Sequence, residues 1–300
     1  MDATFNLEAT VRLLQRRPGN PVDRWEDGRY LRAFATPDGP RLVAVSQGEG
    51  GGTAAARIEL LGGAVGAATA RDLTATVRWM LGLEEPPAPV TWLAELEPRV
   101  EGVAAALRGF RPPCFPSLFE TCAAVVPFQQ LSLDAGTAIV GRLVARFGSA
   151  LRLDDRDWLT FPAPDAIAAA PVEELRAVGL SRPKATALRE LARLATAGGL
   201  DRARFASLST AEALKELRAL PGIGPWSAGL ILLRGLRRMD VFPPGDVGAA
   251  RNLAALLGTA VAMTPAEANA FAARFGERQG YLYFLCLGAQ LLQRGLIATR

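Results

Sequence analysis

A Pro-rich run, Arg111-Pro112-Pro113-Cys114-Phe115-Pro116, separates two stretches whose hydrophobic patterns demand different secondary structure. Before it, β-rich or alternating segments at Tyr30–Thr36, Leu42–Gln47 and Ala56–Leu61 are joined by Pro37-Asp38-Gly39-Pro40 and by Gly48-Glu49-Gly50-Gly51-Gly52, which predicts an antiparallel sheet. Helical spacing follows over Ala70–Leu83 and Val90–Leu107, with Glu84-Glu85-Pro86-Pro87-Ala88-Pro89 as the break. After the run, strand signals nearly vanish. Helices are predicted over Ser117–Val126, Gln130–Phe147, Pro171–Val178, Arg182–Ala197, Thr210–Leu217, Trp226–Arg237, Val247–Leu257, Pro265–Phe275 and Gly280–Arg294. The expected fold class is α+β: a mixed α/β unit over 1–107, then an all-α region over 108–300.

Composition narrows the chemistry. Half of the 300 residues are apolar and 21% are charged, so the chain can bury a sizeable core, and no apolar run approaches a membrane span. The N-terminus carries Asp2 and lacks the order of a secretory signal, which points to a cytoplasmic protein. Cys114, Cys122 and Cys286 form no CxxC pair, so neither a disulfide framework nor a metal site is expected. The absence of histidine excludes Ser-His and Cys-His nucleophiles and histidine bases, leaving a carboxylate as the expected agent. Lys184 and Lys215 are the only lysines. Residues 1–105 hold 11 basic and 14 acidic side chains and the rest hold 23 and 16, so the second part is the candidate for a polyanionic partner.

The segment Leu220-Pro221-Gly222-Ile223-Gly224-Pro225-Trp226 lies between two predicted helices. Its glycines permit a tight turn and leave amide groups free at a helix N-terminus, a seat for an anion. An ordinary αα-hairpin would use the same residues. Downstream, Asp240-Val241-Phe242-Pro243-Pro244-Gly245-Asp246 forms a loop whose last residue could simply cap the next helix.

Together the hairpin and the loop resemble the signature of the helix-hairpin-helix–Gly/Pro–Asp (HhH-GPD) superfamily of DNA glycosylases. Phe128-Gln129-Gln130-Leu131-Ser132 is similar to its Gly-Gln-Gln-Ile-Ser segment, and Leu175–Ala185 to its Leu-x-x-x-Gly-Leu-x-x-x-Lys-Ala segment. The resemblance runs from about Phe110 to Leu296. The N-terminal unit, opened by Phe5-Asn6-Leu7, resembles the accessory domain of the alkylated-base (AlkA-type, 3-methyladenine) and 8-oxoguanine branches.

The resemblance implies two helical lobes with a DNA-binding cleft between them and Asp246 as the catalytic carboxylate. It places Trp226, Leu230, Val247 and Tyr281 in a base pocket, and Gln129, Gln130, Leu131, Ser132, Leu220, Gly222, Ile223 and Gly224 on DNA. Gln130 is favoured over Leu131 as the wedge that fills the gap left by an extruded nucleotide. Lyases of the family have lysine where this chain has Trp226, so a monofunctional hydrolase of alkylated bases is expected. The rival roles for Trp226 and for the protein are plain core packing, an oxidised-base glycosylase and a non-catalytic DNA-binding module. Pocket positions that are aromatic in familiar alkylated-base enzymes fall on Leu230, Val247 and Arg278, and Phe275–Tyr281 drifts toward the 8-oxoguanine style. No cofactor is implied beyond a monovalent cation on the hairpin carbonyls near Leu220 and Ile223, and no metal or iron–sulfur cluster. The implied partner is damaged double-stranded DNA, met by a nucleoid-associated monomer with no membrane contact.

Overall fold

The computed structural model describes residues 5–48 and 56–298; beyond Gly48 the Gly-rich turn at 48–52 lies outside them. The described residues form an N-terminal antiparallel sheet followed by a mostly helical region.

The sheet consists of β1 (Arg24–Glu26), β2 (Arg29–Phe34), β3 (Arg41–Gln47) and β4 (Ala56–Leu61), in that order and antiparallel throughout. Strand β1, three residues long, is too short to leave an alternating pattern in the sequence. No helix is predicted from the sequence at α1 (Leu7–Gln15), which starts where Asn6 accepts a hydrogen bond from the Ala9 amide at 3.0 Å. Strand β2 is buried on both faces. Tyr30 and Phe34, with Val43 and Val45 of β3, pack on Leu7, Val11 and Leu14 of α1 and on α2 (Ala67–Met80). Leu31, Ala33, Leu42 and Ala44 pack on the other side against Trp158.

Trp158 belongs to a hairpin, β5 (Ala150–Leu153) and β6 (Arg156–Leu159), that corrects the expectation of a strand-free second region. Its strands are only four residues long, and its turn holds Asp154 and Asp155 at φ 50° and 57°. Leu151, Leu153 and Trp158 form a face whose partner is the distant sheet, so nothing local stabilises it. Arg24 and Arg156 sit 4.9 and 4.5 Å from the Trp158 ring, and Arg156 forms a two-pronged ion pair with Glu26 at 2.7 and 2.9 Å.

The single helix expected over Val90–Leu107 is broken. It becomes α3 (Val90–Leu96), a 3-10 turn at Pro98–Val100 and α4 (Glu101–Ala106). Pro98 lacks an amide hydrogen and disfavours helical geometry at Glu97. The helices that follow are α5 (Leu118–Val125), α6 (Leu133–Phe147), α7 (Pro164–Ala169), α8 (Val172–Ala177), α9 (Arg182–Thr196), α10 (Arg202–Ala206), α11 (Thr210–Arg218), α12 (Pro225–Gly235), α13 (Val247–Leu256), α14 (Pro265–Ala273) and α15 (Gln279–Gln293). Helix α6 starts three residues later than predicted because Ser132 caps it, its hydroxyl accepting from the Ala135 amide. The sequence pattern predicts neither α7 nor α10, which are only six and five residues long.

Two helical cores result. One unites α1, α3 and α4 with α13, α14 and α15; the other gathers α5 to α11. Helix α12 serves both, giving Leu230 and Leu233 to the first and Ala228, Ile231 and Leu232 to the second. A buried ionic cluster ties the sheet to α5: Arg32 donates to Asp23 at 2.9 Å and to both Glu120 oxygens at 2.6 Å, while the Tyr30 hydroxyl donates to Asp23 at 2.7 Å. Removing one partner of such a cluster costs roughly 3–5 kcal/mol, which makes it a strong constraint on how β2 meets α5.

Candidate active site

The hairpin between α11 and α12 is built as its sequence requires, with one difference between its glycines. Gly222 has φ 69°, and a Cβ there would sit 2.6 Å from the Ala187 Cβ of α9. Only glycine fits. Gly224 is extended backbone at φ −89°, it is exposed, and a Cβ would meet nothing within 4 Å. The tight turn therefore needs Gly222 and not Gly224. Ile223 is buried, and with Leu220 it packs into the second core, so both hold the hairpin rigid from behind. Among the described residues none supplies an acceptor to the amides of Gly222 and Gly224, and Pro225 has no amide to satisfy. The Leu220 carbonyl accepts from the Ile223 amide at 3.2 Å, and no described residue donates to the Ile223 carbonyl. Each keeps a free lone pair.

The Gln129–Ser132 segment is braced against this hairpin. The Gln129 side-chain amide donates to the Gly222 carbonyl at 2.8 Å and to the Ser227 hydroxyl at 3.0 Å. From α9, the Lys184 ammonium donates to the carbonyl oxygens of Gln129 at 2.5 Å and Pro127 at 3.4 Å, and partial burial lowers its pKa. Gln130 forms the apex with φ 55°, a left-handed conformation uncommon for a residue with a side chain, and it is exposed. Leu131 beside it is also exposed.

Asp246 is both the helix cap and a residue of the cleft. Its Oδ1 accepts from the Ala249 amide at 2.7 Å, and its Oδ2 accepts from the indole N–H of Trp226 at 2.8 Å. The two readings of Asp246 are thus not alternatives in space: capping fixes one oxygen and the indole fixes the other. The loop that delivers it is clamped. A Cβ at Gly229 would lie 2.8 Å from Pro244 Cδ and 3.1 Å from Pro243 Cα, so α12 and the loop meet backbone to ring. Asn269 of α14 donates to the Phe242 carbonyl and accepts from the Gly245 amide, while Gln279 donates to the Asp240 carbonyl at 2.6 Å.

These pieces surround one cleft of about 960 Å³. Gln129, Gln130, Leu131, Ser132, Gly222, Gly224, Trp226, Leu230, Asp246 and Val247 all line it. Val247 is 71% exposed, directly beside Asp246. Tyr281 does not line it. Two positions along α15 from Tyr281, on nearly the opposite face, Tyr283 does so instead. Burial pushes the Tyr283 phenol above its ordinary range, with the nearby Asp246 charge adding to the effect. Tyr281 packs on the first core near Glu85 and Arg237, and Arg278 lies over Trp92 at 4.5 Å, away from the cleft.

Sequence reasoning also missed the contribution of α1, whose last turn brings Leu14 and Gln15, followed by Arg16, to the wall, and it missed Arg234 on α12. A signal for Arg234 was present: Trp226, Leu230 and Arg234 recur every four residues, which places them along one side of a helix.

The molecule so described is similar to known proteins. A family model described as HhH-GPD superfamily base excision DNA repair protein matches residues 123–277. A DNA-3-methyladenine glycosylase of Bacillus subtilis (strain 168) is 28% identical over 196 residues, 65% of each chain. DNA-3-methyladenine glycosylase 2 of Escherichia coli (strain K12) is 31% identical over 180 residues, 60% of each. The matches thus span less than two thirds of these relatives. Among solved structures, a 3-methyladenine DNA glycosylase from Archaeoglobus fulgidus superposes with a TM-score of 0.81 at 24% identity over 97% of both chains. An 8-oxoguanine glycosylase/lyase of Clostridium acetobutylicum, in complex with double-stranded DNA, gives 0.72 at 16% identity, covering 97% of this chain and 93% of that one.

Proposed function

This chain belongs to the HhH-GPD superfamily of base excision DNA repair proteins, and on that footing we propose that it is a monofunctional DNA glycosylase that hydrolyses the N-glycosidic bond of extruded alkylated bases. The observation that carries the reading is the Asp246 carboxylate, held by Trp226 and by the α13 N-terminus at the wall of a cleft bordered by the hairpin.

The free amides of Gly222 and Gly224 grip a phosphate of double-stranded DNA without reading sequence. Gln130, at the strained apex, fills the gap left by the extruded nucleotide, with Leu131 beside it. The base enters the cleft. Breaking the C1′–N bond builds positive charge on the sugar, as in other glycoside cleavages. Asp246 stabilises that cation and orients the attacking water, while the indole bond keeps the carboxylate in one rotamer. An alkylated purine is already cationic and leaves without a strong general acid, in accord with a chain lacking histidine.

Trp226 offers no amine for a Schiff base, so the products are a free base and an intact abasic strand. The scheme uses no cofactor; the free lone pairs on the Leu220 and Ile223 carbonyls suit a monovalent cation that would shore up the hairpin. Residues 1–107 serve as the accessory domain and lend the end of α1 to the cleft, and the enzyme works as a monomer on nucleoid DNA. No helix among the described residues is long and apolar enough to cross a membrane.

The test is a panel of duplexes each bearing one lesion, heated with alkali after incubation, with and without borohydride. Strand breaks at methylated purines that appear only after alkali are expected. A borohydride-trapped covalent adduct would overturn the monofunctional reading, and no break at any lesion would leave a non-catalytic DNA-binding module.

A further inference from the structure

The end of the cleft away from Asp246 carries hydrogen-bond donors that the scheme above does not use. Arg234 lies two helical steps beyond Trp226 on α12, about 12 Å along the axis. It is 3% exposed yet lines the cleft. Its Nη2 donates to the Leu13 carbonyl at 3.1 Å, its Nε is buried with no partner, and no carboxylate among the described residues forms an ion pair with it. The guanidinium lies 5.1 Å from the centre of the Phe115 ring, and burial pushes its pKa down to about 10, so it stays charged at neutral pH.

Apart from Asp246, the acids lining the same cleft are committed elsewhere: Glu120 gives both oxygens to Arg32, and Asp23 is held by Arg32 and Tyr30. Gln15 adds a second donor. Its side chain is buried in the same wall, and its Oε1 accepts from Arg12 at 3.0 Å, which leaves the amide N–H groups as its free end. A buried cation with no counter-charge is costly unless something arrives to accept its hydrogen bonds. Arginine can only donate. The occupant of this end must therefore present acceptors, and it must not itself carry a donor there.

We propose that Arg234, assisted by Gln15, is a specificity-determining residue that reads an oxo group at C6 of the extruded purine. The inference rests on the glycosylase reading. With its sugar at Asp246, a purine directs its six-membered ring toward Arg234. A guanine-type base offers a carbonyl oxygen there, whereas an adenine-type base offers an amino group, donor against donor. The assignment favours 7-methylguanine over 3-methyladenine.

Duplex DNA treated with dimethyl sulfate carries both lesions, so a single tube reports both released bases by chromatography. For Arg234→Met the ratio of 7-methylguanine to 3-methyladenine release is expected to fall roughly tenfold, the scale of a lost hydrogen bond to a charged donor. Arg234→Lys, which keeps the charge and one donor, should give an intermediate ratio. Loss of both activities by one factor, or an unchanged ratio, overturns the assignment and makes Arg234 a purely structural residue. If Arg234→Met does not fold, Gln15→Leu on α1 carries the same test: a shift of the ratio in the same direction supports the proposal and an unchanged ratio overturns it. A wild-type protein that releases neither base overturns the glycosylase reading and this assignment together, whereas release of both with an unmoved ratio removes only the assignment.

Discussion

The turn before α12 and the loop after it are made of the same residues, Gly and Pro, and they present opposite chemistry to the same cleft. The hairpin at Leu220–Gly224 is held from behind by apolar packing of Leu220 and Ile223 and offers backbone amides. The loop at Asp240–Asp246 is held by polar clamps from Asn269 and Gln279 and by the close approach at Gly229, and it offers one carboxylate. Amides suit a ligand whose charge is the same everywhere along its length. A carboxylate fixed at two oxygens suits a single point where charge appears during a reaction. The difference separates holding from chemistry, and substitutions on each side should separate them too.

The largest effect is expected for Asp246→Asn. Removing the charge should lower single-turnover excision of a methylated purine by on the order of 10²-fold or more, with lesion binding retained. Asparagine can still cap α13, but its amide faces the Trp226 N–H, so a modest loss of thermal stability, about 1 kcal/mol, should accompany it. Near wild-type excision would remove Asp246 from the reaction. Asp240→Asn in the same loop is the control and should leave excision largely unchanged.

On the hairpin side the two glycines should part company. Gly224→Val is expected to melt like the parent yet bind damaged and undamaged duplex about tenfold more weakly in fluorescence anisotropy, because its side chain would stand where the proposed function has the phosphate dock. Gly222→Val should instead destabilise the fold by roughly 1–3 kcal/mol through its positive φ and its contact with Ala187. Equal binding by a folded Gly224→Val protein would make the hairpin only a structural turn. The smallest effect is expected for Trp226→Phe, which keeps a ring and deletes the hydrogen bond to Asp246: excision should drop severalfold, on the scale of about 1 kcal/mol, while DNA affinity holds. A drop as large as that of Asp246→Asn would give Trp226 a role beyond orienting the carboxylate.

Local signals made much of this legible in the sequence. The hairpin helix was expected over Trp226–Arg237 and spans Pro225–Gly235, and α13 starts at the expected Val247, since Gly, Pro and a capping Asp mark these ends by short-range chemistry. The hairpin of β5 and β6 was missed because its apolar face is answered only by the distant β2 and β3. The family resemblance points to Tyr281 for the pocket, whereas Tyr283 faces the cleft: two residues on a helix differ by about 200°, so a shift of two positions exchanges core for cleft. The convergence of Gln15, Asp246 and Arg234 comes from three separate helices or their caps, and only packing brings them together.

Helix α12 has a consequence for folding cooperativity. Every residue of it from Ser227 to Gly235 is buried, and each of the two helical cores lacks part of its interior without it. Neither core can melt while the other stays intact, because melting either strips one face of α12 of its packing. The two should therefore unfold as one unit in calorimetry, and the slowest amide hydrogen exchange in the protein should fall on α12, at the opening free energy of the whole molecule. A helix that borders the cleft would then be the last to loosen, and DNA could distort against it without the cleft yielding.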